Sequence, residues 1–230
     1  MEVFSLEDMD IFNEIEKHLL EDDRPSNYLD KLKKDGVLYK RPFDIIGGLD
    51  KIEQEKKFHP EGNVWNHTML VVDEAALRRD ISEDKRSLMW AALLHDVGKI
   101  KTTVKRNGRW TAYDHDSVGA EMSRRFLREF SSDEHFNDKV VGLVRWHMQN
   151  LYVNKRLPFA HISNMVEDCS VHEIILISLC DRLARGKMSE EEIDEIVEKL
   201  EKFVDTIAST TGDSYEEIKE EILFKRLQQV

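Results

Sequence analysis

The 230-residue chain has little of what secreted, membrane-spanning or low-complexity proteins are rich in. Its two cysteines are too few for a disulfide framework, and its four prolines and ten glycines leave little material for linkers. No apolar run approaches the roughly 20 residues that a transmembrane helix requires. The acidic N-terminal stretch MEVFSLEDMD lacks the basic and apolar regions of a signal peptide. The sequence therefore predicts a cytoplasmic protein with no membrane partner.

Positive charge is also scarce. The chain has 34 Lys and Arg residues against 46 Asp and Glu residues, which gives a formal net charge of −12. This balance argues against wrapping nucleic acid over much of the surface, although it allows a local basic patch. Hydrophobic residues make up 40% of the chain and charged residues 35%, as in an ordinary globular protein.

Most of the chain has a helical pattern. Among the pairs with the capping-box spacing that marks a helix start are Ser170 with Glu173 and Ser189 with Glu192. The stretch KTTVKRNGRWTAY departs from this pattern, because β-branched residues flank Asn107-Gly108, a common hairpin turn signal. The predicted fold class is all-α, a helical bundle with a small β-hairpin insertion at about residues 101–113.

Ionisable residues occur where the pattern predicts buried helices. In AALLHDVGKI, four aliphatic residues precede His95 and Asp96, and Gly98 is expected to give the chain room to turn. A buried carboxylate needs a charged partner or a metal, because an unpaired buried charge is costly. Asp181 repeats the pattern within IILISLCDRLA, with a salt bridge to a neighbouring cation as the alternative. His67 lies among apolar residues at helical spacing, where a hydrogen-bonded core histidine is the alternative.

The order of these residues is informative. Imidazole and carboxylate ligands suit a first-row transition ion that keeps positions open for water. With HDVGK at its centre, the sequence resembles the HD-domain metal-dependent phosphohydrolases, whose signature is a histidine, a His-Asp pair and a later aspartate. The resemblance implies an HD-domain helical bundle in which His67, His95, Asp96 and Asp181 bind metal.

A closer resemblance covers about residues 58–187. Four segments resemble the HD region of bacterial CCA-adding tRNA nucleotidyltransferases: FHPEGNVWNHTMLVVDEA, AALLHDVGK, YDHDSVGAE and LISLCDRLARGK. The nucleotidyltransferase head needs a Gly-Gly-Ser turn and a following Asp-x-Asp pair, and IIGGLD at 45–50 supplies neither the serine nor the pair. Nucleotide addition is therefore not expected. The predicted organisation is a single HD-type domain, with an N-terminal helical region (1–57), the HD core (58–187) and C-terminal helices (188–230).

Two further histidines bear on the number of ions. In HD enzymes with two metals, two extra histidines fall between the His-Asp pair and the final aspartate, and His115 and His147 lie in that interval. The resemblance implies a second ion bound by both, with Asp96 bridging. The alternatives are one ion with substrate-contacting histidines, or capping and core histidines. The expected cofactor is one or two divalent transition ions (Fe, Mn, Ni, Co or Zn, with Mg as a further option).

Several residues near these ligands are candidates for substrate contacts. Lys99 is expected to reach a phosphate oxygen as a catalytic residue, although a lysine at a helix C-terminus is the ordinary alternative. Arg109 ends a run of cations that begins at Lys99 and contains no acidic residue, and Arg182 follows the last predicted ligand. Trp65 either stacks on a base or packs in the core. Asp96 is also expected to accept a proton from the nucleophile.

The predicted function is a metal-dependent phosphohydrolase that uses metal-activated water. Its partner would be a nucleotide, another small phosphoester or an RNA 3′ end, with no obligate protein partner. The resemblance implies 2′,3′-cyclic phosphodiesterase, 2′-nucleotidase or phosphatase activity. The alternative is a non-catalytic regulatory or RNA-binding HD module with a structural metal. The complete ligand set with Lys99 favours the enzyme, because a structural site is normally closed by protein ligands.

Overall fold

The computed structural model describes residues 6–57 and 59–224, with side chains through residue 221. Apart from one β-hairpin, the regular structure of this described part is helical. The helices are α1 (Leu6–Glu21), α2 (Ser26–Lys34), α3 (Asp44–Gly47), α4 (Val64–Arg78), α5 (Lys85–Leu94), α6 (Lys99–Thr102), α7 (His115–Phe130), α8 (Glu134–Trp146), α9 (Gln149–Asn154), α10 (Ile162–Asp168), α11 (Val171–Leu183), α12 (Glu190–Thr211) and α13 (Glu216–Ile218). Short 3₁₀ turns occur at Val37–Tyr39, Gly48–Lys51 and Arg79–Ile81, and a π-helical segment spans Lys219–Phe224. The predicted all-α class is confirmed.

Two helices form the centre of the fold. Helix α5 packs against α1, α4, α8 and α11, and its residues 87–94 are at most 1% exposed. Residues 174–180 of α11 are fully buried. A helix that is apolar on all sides is stable only inside a core, where burying each large apolar side chain contributes about 1.5–3 kcal/mol. Both helices end at the residues predicted to bind metal, so the core holds these helix ends in place.

The other elements cover this centre. Phe12 of α1 stacks on Trp90 of α5, with ring centroids 4.5 Å apart, and the Trp90 indole donates a hydrogen bond to Glu16 at 2.8 Å. No helix within residues 6–57 and 59–224 combines the length and apolar character needed to cross a membrane.

Two of the predicted capping boxes differ in outcome. Ser189 accepts a hydrogen bond from the amide of Glu192, whose side chain accepts from the Ser189 amide, so this box is confirmed. Ser170 precedes α11 without a side-chain cap. Its expected partner Glu173 instead accepts a 2.8 Å hydrogen bond from the hydroxyl of Ser82. The prediction of a capping box at Ser170 was therefore wrong, because Glu173 binds a donor that is distant in sequence.

The hairpin follows α6. Strand β1 (Thr103–Arg106) pairs antiparallel with β2 (Arg109–Ala112), so that Lys105 faces Trp110 and Arg106 faces Arg109. Asn107 and Gly108 both have positive φ values, 49° and 78°, as a type I′ two-residue turn requires. The prediction of a hairpin within about residues 101–113 is confirmed, although residues 101 and 102 still belong to α6.

Candidate metal centre

Three packed helices bring four predicted ligands together. His67 lies on α4, His95 and Asp96 follow α5, and Asp181 lies in the last turn of α11. Nε2 of His67 is 2.9 Å from Oδ1 of Asp181 and 4.0 Å from Oδ2 of Asp96. Nε2 of His95 is 3.3 Å from the same Asp96 oxygen. The donor atoms of His67, His95 and Asp96 all lie within 4.8 Å of one another, a spacing that one ion could span.

A second group shares Asp96. His115 begins α7 and His147 follows the last residue of α8. Their Nε2 atoms lie 3.5 Å and 3.9 Å from Oδ1 of Asp96. Each Asp96 oxygen therefore faces a different pair of histidines. This is the geometry of a carboxylate that could bridge two ions, one in each group.

Backbone carbonyls orient three of the histidine rings. In each case Nδ1 lies 2.7–2.9 Å from a carbonyl three residues earlier: His95 with Ala92, His115 with Ala112, and His147 with Val144. A ring that donates through Nδ1 presents the lone pair of Nε2, as metal-binding histidines commonly do. Nε2 of His95 and Nε2 of His115 are buried and lack a hydrogen-bond partner among the described residues. Buried polar atoms rarely remain unpartnered, so these residues fit a metal ion.

A cavity of about 730 Å³ opens onto the cluster, a volume suited to a small-molecule ligand. Asp96, His115, His147 and Asp181 are among its lining residues. Seven cationic side chains and four glutamates also line it: Lys57, Lys99, Lys155, Arg182, Arg185, Lys187 and Lys199, with Glu53, Glu55, Glu192 and Glu195. The cavity therefore offers positive charge beside the candidate ligands, in a protein of net negative charge.

Sequence comparison identifies the fold that carries this cluster. The model of the HD domain family matches residues 64–186, more than half of the chain. The chain belongs to the HD domain family. His67, His95, Asp96, His115, His147 and Asp181 all lie within the matched residues.

Curated relatives support the closer resemblance. The Multifunctional CCA protein of Halorhodospira halophila (strain DSM 244 / SL1) is 31% identical over 138 residues, which cover 60% of this chain and 31% of that protein. The Multifunctional CCA protein of Pasteurella multocida (strain Pm70) is 30% identical over 138 residues, or 60% of this chain and 32% of that protein. The chain thus spans about a third of the length of the curated relatives it matches. The predicted resemblance to the HD region of CCA proteins is confirmed.

Charge partners keep the aspartates of the HD motif and of α11 ionised. Burial raises the pKa of Asp96, but the charges of Lys99 and His95 outweigh it and hold this pKa well below its usual range. Nζ of Lys99 lies 2.7 Å from Oδ2 of Asp96 and 2.7 Å from Oε1 of Gln54. Burial also raises the pKa of Asp181, whose hydrogen bond to His67 and proximity to Arg182 lower it well below normal. Both carboxylates are therefore available as anionic ligands at neutral pH.

The histidines differ in their readiness to bind metal. Burial, together with the nearby His115 and His95 rings, lowers the pKa of His147 to about 4, and burial likewise lowers the pKa of His115. These rings are neutral at pH 7. Burial also lowers the pKa of His67, but hydrogen bonds to Asp181 and Glu61 outweigh it and raise the pKa to about 9. A metal at Nε2 of His67 would therefore replace a proton.

Glu61 is a site residue that the sequence analysis missed. Its Oε1 lies 2.9 Å from Nδ1 of His67 and 2.8 Å from Nδ1 of His59. Burial raises the pKa of Glu61, but hydrogen bonds from both histidines lower it to about 2. Metal-binding histidines commonly have such a carboxylate on the opposite ring nitrogen. His59 also lines the cavity.

The predicted substrate contacts fall in three different places. Lys99 and Arg182 line the cavity, but Arg109 lies at the tip of the hairpin and borders a separate cavity. Trp65 is 1% exposed and donates a 2.9 Å hydrogen bond from its indole to Asp30, so it packs in the core and the predicted base contact was wrong. Residues two positions apart on a helix point in different directions, which separates Trp65 from His67. Trp110, which the sequence analysis did not single out, lines the cavity.

Proposed function

We propose that this HD domain is a phosphohydrolase that uses one or two divalent transition ions. The observation that carries the proposal is the position of the Asp96 carboxylate. Each of its two oxygens faces a separate pair of histidines, beside a cavity that cationic side chains line. When bound, divalent ions in such sites supply an acidified water and a Lewis acid for a phosphoryl oxygen. His67, His95, Asp96 and Asp181 would hold the first ion. His115 and His147, with Asp96, would hold the second.

Asp96 and Lys99 have distinct roles in this proposal. Asp96 stays ionised at neutral pH, so its carboxylate can hold a metal and accept a proton from the attacking water. Lys99 is fixed by Asp96 and Gln54, which keeps its ammonium group at the cavity wall. A preorganised cation stabilises the negative charge that develops on phosphoryl oxygens. Arg182 also lines the cavity and would bind a further substrate oxygen.

The proposed substrate is a phosphomonoester or phosphodiester of a nucleotide or of an RNA 3′ end. Support comes from the cavity volume, its cations and the similarity to proteins named Multifunctional CCA protein. The proposed reactions are those of a 2′,3′-cyclic phosphodiesterase, a 2′-nucleotidase or a phosphatase. All three need ligands for metal and cations for the phosphate, and the cavity residues offer both types of group.

Elemental analysis and a phosphoester panel test the proposal. Wild-type protein should bind one or two equivalents of Mn, Co, Ni, Fe or Zn and hydrolyse at least one member of the panel. Asp96→Asn should lose most of the metal and all measurable turnover, because the amide offers one neutral oxygen in place of a bridging carboxylate. Asp138→Asn, at an exposed aspartate paired with Arg124, is the matched control and should behave as wild type. Protein that binds no metal refutes the proposal, whereas stoichiometric metal without any turnover favours a structural ion.

Lys99→Met separates catalysis from metal binding. Loss of the ammonium group should lower kcat/KM by about 10²-fold or more, the usual effect of removing one preorganised charge-stabilising group. Metal stoichiometry should remain that of the wild type, because Lys99 is not a ligand. Lys101→Met removes an exposed lysine from the same short helix and serves as the control. Equal kcat/KM values for the two variants would contradict the role assigned to Lys99.

A further inference from the structure

The β-hairpin carries positive charge that no ion pair among the described residues neutralises. Lys105, Arg106 and Arg109 are exposed, and the sequence from 99 to 113 contains no acidic residue. None of these three side chains forms a salt bridge with any residue in the described part of the chain. In a protein of net charge −12, this local excess of cations would attract an anionic partner.

Two of the cations face each other directly. Arg106 is the cross-strand partner of Arg109 at the last pair before the turn. Like charges at directly opposed strand positions repel each other and destabilise the pairing. The Asn107-Gly108 turn depends on positive φ values and requires no arginine on either side. A phosphate bound between the two guanidinium groups would convert this repulsion into two favourable contacts.

The two faces of the hairpin border different cavities. Thr103, Trp110 and Ala112 line the cavity that contains the metal ligands. Arg106, Asn107, Arg109 and Tyr113 line a second cavity, and Thr111 borders both. The three residue steps from Ala112 to Arg109 span about 10 Å at about 3.3 Å per residue. Because Thr111 borders both cavities, a strand that passes beside it would extend from the metal cavity to the arginine pair, a short path suited to a few linked nucleotides.

Aromatic rings accompany the cations along this path. The ring of Trp110 lines the metal cavity, and Nζ of Lys105 lies 5.4 Å from its centroid. Tyr113 is 59% exposed, and the Arg106 guanidinium lies 5.2 Å from its ring centroid. Cations interleaved with accessible aromatic rings are the arrangement by which proteins bind single-stranded nucleic acid, because every base can stack on a ring.

We propose that the hairpin is a binding site for single-stranded nucleic acid and directs the end of the strand into the metal cavity. Arg106 and Arg109 bind a backbone phosphate, while Trp110 and Tyr113 stack on bases. The claim that the bound strand is the substrate rests on the proposed phosphohydrolase function. The binding itself does not, because neither arginine and neither aromatic ring belongs to the candidate metal ligands.

Fluorescence anisotropy of metal-free protein with a labelled single-stranded RNA of about 12 nucleotides tests the binding, since such sites cover about 4–16 nucleotides. The double variant Arg106→Gln/Arg109→Gln should bind at least tenfold more weakly. The slope of log affinity against log salt should fall by about 0.7, the value for the one phosphate contact that the two arginines share. The control Arg124→Gln/Arg125→Gln removes the same charge from α7 and should bind within twofold of the wild type.

The aromatic contribution is tested separately. Trp110→Leu should weaken RNA binding at least about fivefold, whereas Trp110→Phe should retain most of the affinity because it keeps a stacking surface. Polyphosphate should compete poorly with the RNA. Equal competition by polyphosphate, or equal affinities of the hairpin and control double variants, would overturn the assignment of a nucleic-acid site.

Turnover distinguishes the two proposals. If the hairpin binds RNA as expected but no phosphoester is hydrolysed, the proposed enzyme activity fails and the binding site stands. If the hairpin variant hydrolyses oligonucleotides with the kcat/KM of the wild type, the hairpin does not direct the substrate into the metal cavity, and the enzyme activity stands. The expected result is a loss of kcat/KM for oligonucleotides of at least tenfold, with kcat/KM for a mononucleotide unchanged.

Discussion

Gly98 controls how closely α7 approaches the HD motif, so Gly98→Ala is expected to disturb the second metal group. A Cβ at position 98 would lie 2.0 Å from the carbonyl oxygen of His115 and 2.6 Å from the amide nitrogen of Gly119. Real Cβ atoms essentially never approach other heavy atoms below 3.0 Å, so the start of α7 must move by about 1 Å. Both opposing atoms belong to the backbone, so no side chain can move aside to relieve the overlap.

The magnitude of the effect follows from this overlap. Forced overpacking costs about 1–3 kcal/mol, and a backbone overlap should lie at the upper end, about 3 kcal/mol. For a chain of this size each kcal/mol lowers Tm by about 2–4 °C, so the expected decrease is about 6–12 °C. The same shift would change the 3.5 Å separation of His115 Nε2 and Asp96 Oδ1. A protein that binds two ions should then bind the second at least tenfold more weakly.

Calorimetric unfolding of metal-free protein and titration with Mn²⁺ or Co²⁺ measure the two effects. Gly48→Ala is the matched control, because both glycines have helical backbone angles and a Cβ at position 48 meets only the Ile100 side chain, at 3.3 Å. Its Tm should change by less than about 4 °C, the equivalent of about 1 kcal/mol. If Gly98→Ala has the Tm and metal binding of the wild type, the argument that this contact positions His115 is wrong.

Two further predictions concern Glu61 and His147. Glu61→Gln should weaken metal binding about 10- to 100-fold without abolishing it, as expected when the carboxylate partner of a metal-binding histidine is removed; an unchanged Kd in isothermal titration would show that the Glu61 contact does not orient His67. His147 is a source of pH-dependent stability in the metal-free protein. Its pKa is about 4 when folded and about 6.5 when unfolded, so the unfolded state binds more protons and stability falls as pH decreases from 6.5 to 4. Between pH 7 and pH 4, the free energy of unfolding measured in urea should fall by about 3 kcal/mol less for His147→Gln than for the wild type. Parallel pH profiles for both proteins would count against a neutral buried His147.

Residue type and periodicity singled out buried ionisable residues, and the resemblance to HD-domain enzymes joined them into a predicted ligand set. A helix apolar on all sides must be buried, and the polar residues at its end then need partners. The segments AALLHD and LISLCD single out His95, Asp96 and Asp181 in this way. The structure places those residues together with His67, as the order of the motif implied.

The direction in which a side chain points, and the segment that packs against a residue, could not be predicted in the same way. Trp65 is close to His67 in sequence but points elsewhere on the helix, while Trp110 reaches the cavity because of the strand register. Gly98 was expected to permit a turn, yet its φ of −62° is open to any residue. Its lack of a side chain matters because a segment from α7 packs against it, a contact that no local pattern reveals.

Glu61 and Glu173 illustrate a related limit. Glu173 has the spacing of a capping residue, but Ser82, 91 positions away, provides its hydrogen bond. Glu61 lies in a loop, where neither helical nor strand periodicity assigns it to a face. Glu173 is bound by a donor distant in sequence, and Glu61 lies in a loop without a regular pattern. Local spacing therefore predicts neither contact.

The hydrogen bonds from the histidine rings to backbone carbonyls have a consequence for the helices themselves. Ala92 and Val144 lie in the last turns of α5 and α8, where carbonyls lack helical partners. The same bond that satisfies each carbonyl also fixes the ring of His95 or His147. Fraying of either helix end would therefore release a ligand. Metal occupancy and local opening of these two helix ends are thus thermodynamically linked, and each ion bound would slow amide hydrogen exchange in the last turn of the helix that supplies its ligand.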